Sequence, residues 1–218
     1  MTPPAPHRSL TGYGLTYLLI ALIAGPELCI WAAEQGWIGS PLWRPLSVQY
    51  GAFWPGLLGN WQPNYAAQPW TMFLSYSVLH TGPLHLIGNA AVVLWMAPSV
   101  IARLGFMRFA LLWLVCAIVG GGAFALLSNG ASPMVGASGC VFGVVGAMVM
   151  LDYVHKGRIN TALAITVGLA LLNILTLIVE NGALAWQPHM AGYLAGLALA
   201  AARPKPRSKP RPRPVSDP

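Results

Sequence analysis

Gly136-Ala137-Ser138-Gly139-Cys140-Val141-Phe142-Gly143-Val144-Val145-Gly146 sets one serine among glycines at the head of a long apolar run. A loop of small residues, Gly130 to Ala137, precedes it, and no charge follows until Asp152. A serine at such a junction suits a helix N-cap, with free backbone N–H groups around it. Those donors, at the positive end of a helix, are what a developing oxyanion requires. The same residues also admit a plain reading, in which Ser138 only caps and the glycines only pack. His189 opens another apolar run and supplies what a serine nucleophile lacks, a base to take its proton.

The surrounding chain is not that of a water-soluble domain. Of its 218 residues 56% are hydrophobic and 8% charged, and the mean hydropathy is +0.61. Soluble chains carry roughly 25% charged residues. Apolar stretches of about 20 residues cross a hydrocarbon layer of ~30 Å. Backbone groups in lipid must pair within the segment, so the expected fold is an all-α membrane protein. The formal charge of +7 sits largely in Arg203, Lys205, Arg207, Lys209, Arg211 and Arg213, interleaved with prolines. Such a tail reads as disordered and apposed to anionic lipid, with no basic face or stacking platform for nucleic acid. Cys29, Cys116 and Cys140 lie in apolar runs without CxxC spacing and read as small core residues.

Six spans are expected: about Tyr13 to Ala33, Pro83 to just before Pro98, Phe106 to Leu127, Ser138 to Tyr153, Ile159 to Val179, and Pro188 to Ala202. The first is read as a retained span and not a cleaved signal peptide. The second, fourth and sixth look short, as suits helices that begin below the membrane surface and line a cavity. The chain thus divides into a short cytoplasmic tail (1–11), a six-span domain (12–202) and the basic Pro-rich cytoplasmic tail (203–218). With the N-terminus inside, every Lys and Arg except Arg44 falls on the cytoplasmic side, which favours this orientation. The longest loop, Glu34 to Trp70, then faces outward. Its Trp37, Trp43, Trp54, Trp61 and Trp70 place it in the outer leaflet, as an aromatic belt or as a shaper of substrate access.

By this topology Ser138 and His189 share the outer end. Gly192 and Gly196 lie three and seven positions beyond His189 on one helix face, and Gly139, Gly143 and Gly146 give the fourth span a similar face. Small residues let membrane helices approach closely, which offers a way to bring histidine and serine together. His85 and Asn89, at i and i+4 on the second span, are costly in hydrocarbon unless buried and used, and could complete an oxyanion hole with the Ser138 N–H. His80 either lines the same cavity or is a satisfied buried histidine. A zinc site from His80, His85 and His189 is conceivable, but no HExxH or cysteine cluster supports it. Glu27 has no evident role. Glu180 is the nearest acid in sequence to His189, and a Ser–His dyad is the simpler expectation.

Taken together, His80-x4-His85-x3-Asn89, Gly136-Ala137-Ser138-Gly139 and His189-Met190-Ala191-Gly192-Tyr193-Leu194-Ala195-Gly196 resemble the rhomboid intramembrane serine proteases. The match covers about Trp70 to Ala202, and the six-span layout extends it to Tyr13. The resemblance implies a rhomboid-like six-helix bundle with an outer interfacial loop between the first two spans. It implies a Ser–His dyad with no metal or cofactor: Ser138 as nucleophile, His189 as general base, and His85, Asn89 and the Ser138 backbone as oxyanion donors. Gly136, Gly139, His80, Phe142, Gly192 and Gly196 would support them. Substrates would be single-span or other membrane-anchored proteins, cut in or near a transmembrane segment, and the remaining partners would be membrane lipids. Three departures stand out. The family's Trp-Arg pair is matched only in part by Trp70-Thr71, an acidic residue before Gly105 is missing, and Phe142 stands where tyrosine is common.

Two other classes compete. A catalytically inactive relative would bind or route membrane clients, but such relatives would be expected to lose Ser138 or His189. A small transporter would need polar residues along its inner half, where the fourth and sixth spans are apolar. The size of the six-span unit fits a bacterial inner-membrane enzyme. Nothing in the sequence sets an oligomeric state.

Overall fold

The computed structural model describes residues 10–128, 132–179 and 185–202. The two tails, Gly130 and Glu180 lie outside the described residues, save that the first helix already begins at Leu10. Eight α-helices follow one another among the described residues: α1 (Leu10–Glu34), α2 (Trp43–Gly51), α3 (Gln68–Ser75), α4 (Pro83–Leu104), α5 (Phe106–Leu127), α6 (Ser138–Lys156), α7 (Ile159–Val179) and α8 (Trp186–Ala201).

Four of them, α1, α4, α5 and α7, are long and apolar enough to cross a membrane. The apolar part of α6, Ser138–Val154, is shorter. At 16 residues α8 would rise about 24 Å, short of a full hydrocarbon layer. The expectation for the second span needs correction. It does not stop before Pro98 but runs on to Leu104, 22 residues in all, with Ala97 and Pro98 both buried. Proline removes one N–H donor from the helix ladder, a loss that membrane helices tolerate where neighbours enclose the site.

The core gathers Val93, Ala97 and Val100 of α4, Leu112 and Cys116 of α5, and Val144, Ala147 and Leu151 of α6. Dispersion and close backbone approach, not water exclusion, hold such helices together in lipid. The glycine faces meet as the spacing suggested: a Cβ on Gly192 would strike the Gly139 carbonyl, and one on Gly196 the Gly143 carbonyl. Gly146 in turn faces the Tyr193 carbonyl. Helix α7 is different. Among its described side chains Asn173 is the one that is buried.

The connection between α1 and α4 is a folded wall and not a bare belt. Phe53 is fully buried and meets Phe73, Tyr76 and Phe124 edge-on, with ring centroids 4.9, 5.9 and 6.2 Å away. Trp37 and Trp70 stay exposed, as rings for a headgroup layer would. The segment between α1 and α4 also carries a Trp-Arg pair of its own, Trp43-Arg44, upstream of Trp70-Thr71. Arg44 binds Glu27 at 2.8 and 2.9 Å, Glu34 at 2.7 and 2.8 Å, and donates to the His80 carbonyl at 3.0 Å. All five guanidinium N–H groups are thereby used. The hydrogen bond to Glu34, then that to Glu27, pushes the Arg44 pKa further up, so the guanidinium keeps its charge. Glu27 is completely buried, and this partner explains how a carboxylate sits inside a span.

Candidate active site

Ser138 is the first residue of α6, not its cap. The N-cap is Ala137, and no side chain bonds the helix end. The Ser138 hydroxyl turns elsewhere: its Oγ lies 2.7 Å from His189 Nε2. The approach depends on the glycine contacts between α6 and α8, which let the two helix starts touch. Phe142, one turn after Ser138, stacks flat on the His189 ring, with centroids 4.5 Å apart and planes 3° from parallel. Loss of a tyrosine hydroxyl therefore leaves the stacking intact.

The loop before Ser138 is held by the outer wall. Phe53 and Met134 exchange two backbone hydrogen bonds of 2.9 and 3.0 Å, and the Gly136 N–H donates to the Tyr76 carbonyl at 2.9 Å. Gly136 has φ +135°, and a Cβ there would come within 2.7 Å of His85 Cε1 and 3.0 Å of His85 Nε2. Only glycine serves at this point, on backbone and on space. The same distances place the His85 ring beside the Ser138 turn. Thr81 Oγ1 sits 3.1 Å from His85 Nδ1, which leaves Nε2 toward the turn.

One cavity of about 500 Å³ brings the predicted residues together: Ser138, His189, His85 and Asn89 all line it, with Gly88 and Met134. Asn89 is buried, and its Nδ2 finds no acceptor among the described residues. His80 is not on the cavity wall. It stands behind His85, edge-on at 5.1 Å, buried, with neither ring nitrogen partnered among the described residues. It is thus buried but not satisfied, and it buttresses His85 by packing. Burial, then the neighbouring His85, pushes its pKa down to about 4, so it adds no charge beside the cavity.

Sequence reasoning missed two members. Asn173 Oδ1 of α7 lies 2.7 Å from His189 Nδ1. An asparagine in mid-span is costly in hydrocarbon unless partnered, and that isolation was its signal. Thr81 was hidden in a turn, where hydroxyls are ordinary. Among the described residues, no group of three or more His, Cys, Asp or Glu could hold a metal ion. Cys116 and Cys140 are buried free thiols, as core residues would be, and Cys29 is exposed on α1.

Comparison with known proteins agrees with this architecture. Residues 66–205 match the Rhomboid domain. The chain is 29% identical over 127 residues to RHOMBOID-like protein 1 of Arabidopsis thaliana, covering 56% of this chain and 31% of that protein. It is 31% identical over 129 residues to RHOMBOID-like protein 5 of the same plant, covering 56% and 40%. An uncharacterized protein of Mycobacterium leprae (strain TN) is 28% identical over 131 residues, covering 56% and 52%. The matched part thus spans about a third to a half of these relatives. The chain belongs to the rhomboid family, whose members include intramembrane serine proteases, and it is an integral membrane protein.

Proposed function

We propose that this chain is an intramembrane serine endopeptidase that cuts membrane-anchored proteins in or near a transmembrane segment. The observation that carries the reading is the 2.7 Å contact between Ser138 Oγ and His189 Nε2, on the wall of a cavity of about 500 Å³ that also holds a buried Asn89 whose Nδ2 has no partner among the described residues. His189 Nε2 takes the Ser138 proton as Oγ attacks the substrate carbonyl carbon. The carbonyl oxygen becomes an oxyanion, met by the Ser138 N–H, the Asn89 amide and His85. His189 then gives its proton to the leaving amine, the C–N bond breaks, and an acyl-Ser138 ester remains. Water, deprotonated by the same imidazole, releases the new carboxylate. These steps call on no cofactor.

The reading places six spans in the membrane, α1 and α4 to α8, with both termini cytoplasmic. Arg103 and Lys156 both pair with Asp152 at the ends of α4 and α6 away from Ser138, which supports a cytoplasmic assignment for that end and an outward-facing cavity. A bacterial inner membrane suits this arrangement. The test is cleavage of a single-span reporter protein in proteoliposomes. Product from the parent but not from Ser138→Ala supports the proposal; equal product from both overturns it.

A further inference from the structure

The described part of α7 is the least embedded of the long helices, and its contact with the site is specific. Its one buried side chain, Asn173, is 6% exposed and ends on His189. The amide is oriented by its own helix. Asn173 Nδ2 donates to the Leu169 carbonyl at 3.0 Å, so Oδ1 is the atom left toward His189 Nδ1, at 2.7 Å. An amide oxygen can only accept, so Nδ1 must carry the hydrogen of the neutral imidazole. Nε2 is then the bare nitrogen, and it is the one beside Ser138 Oγ.

A second polar contact supports the first. Thr166 Oγ1 donates to the Ala162 carbonyl at 2.8 Å and so accepts from Tyr193 OH at 2.6 Å. Thr166 and Asn173 are seven residues apart on α7, and Tyr193 and His189 four apart on α8, so each pair lies along one face. Helix α7 is therefore attached to α8 by two side-chain hydrogen bonds, one of which ends on the imidazole. Polar contacts of this kind hold membrane helices together where apolar surfaces gain little from lipid.

We propose that Asn173 is a positioning residue for His189: it selects the Nδ1–H tautomer, so that docking of α7 onto α8 is a condition for His189 to act as a base. This rests on the protease reading above. The neutral amide also receives the stronger Nδ1–H donor of the imidazolium once the Ser138 proton has moved, and so favours the transition state over the resting state.

The experiment is steady-state cleavage of the single-span reporter in proteoliposomes by the parent, Asn173→Leu, Asn173→Asp and Ser138→Ala. Nitrogen-15 magnetic resonance of histidine-labelled parent and Asn173→Leu protein is recorded beside it. Asn173→Leu keeps the shape and removes the acceptor, so kcat should fall roughly 10- to 100-fold at unchanged KM, part of the 10²–10⁴ a positioned base supplies. Asn173→Asp keeps an acceptor and should recover most of that loss, whereas a merely structural role would not be rescued by a buried carboxylate. In the parent spectrum the His189 Nδ1 should be protonated and Nε2 bare, and Asn173→Leu should mix the two tautomers. Parental kcat in Asn173→Leu, or an Nε2–H tautomer in the parent, overturns the assignment. If the parent itself is as inactive as Ser138→Ala, the protease reading has failed instead, and the spectrum still decides the tautomer.

Discussion

Gly196 of α8 faces the Gly143 carbonyl of α6 so closely that no Cβ fits between them. The contact that joins serine to histidine thus starts two turns below, in backbone packed against backbone. Gly196→Val should force the helices apart and cost about 3 kcal/mol or more, the upper end of overpacking penalties. Activity should fall with it. Thermal unfolding and reporter cleavage check this: a variant as stable and as active as the parent would refute the close-approach argument.

The outer wall makes a separate prediction. Arg44→Ala leaves Glu27 buried in α1 without a partner, which should cost about 3–5 kcal/mol. Adding Glu27→Gln should return a good part of it, because the uncompensated charge is then gone. Unfolding of the single and double variants gives the answer. No recovery in the double variant would mean that Arg44 acts through the His80 carbonyl or Glu34 instead.

Asn89→Ala removes a donor that finds no acceptor among the described residues. The expected loss is 10²–10³ in kcat, the range for one oxyanion-hole donor, with KM little changed. A rise in KM at constant kcat would place Asn89 in substrate binding and out of the oxyanion site. Gly136→Ala tests the same pocket from the other side. Its Cβ would push into His85 on a backbone at φ +135°. The strain should cost about 1–3 kcal/mol, and the displaced His85 should cost most of the activity in the reporter assay.

The pH profile follows from the role assigned to His189. Only the neutral imidazole accepts the Ser138 proton, so kcat should be low in acid and rise to a plateau as a single ionisation is passed. A rate that fell as pH rose through that ionisation, or one unchanged far into acid, would contradict general-base catalysis by His189.

How far these features could be read from sequence depends on what made them. Ser138, His85, Asn89 and His189 are polar atoms in apolar runs, and hydrocarbon makes such residues conspicuous. The glycine faces follow from helical spacing alone, and the structure pairs them residue against residue. Pro98 misled because proline ends most helices in water, whereas here its neighbours enclose it. Ser138 looked like a cap because caps are commonly serines, but the histidine takes its hydroxyl. Asn173 and the Glu27–Arg44 pair were harder, since each depends on a partner 16 or 17 residues away whose approach only tertiary packing sets. The charge in α1 did require a counter-ion, and in the topology expected from sequence Arg44 was the cation left off the cytoplasmic side.

The central claim is that Ser138 is an activated nucleophile. Its most direct test is labelling of the purified protein in liposomes by a fluorophosphonate probe, with Ser138→Ala and His189→Ala beside it. The account predicts covalent labelling of the parent at Ser138 and none in either variant. A parent that stays unlabelled where a known rhomboid protease reacts, or a His189→Ala variant labelled as fast as the parent, would contradict it.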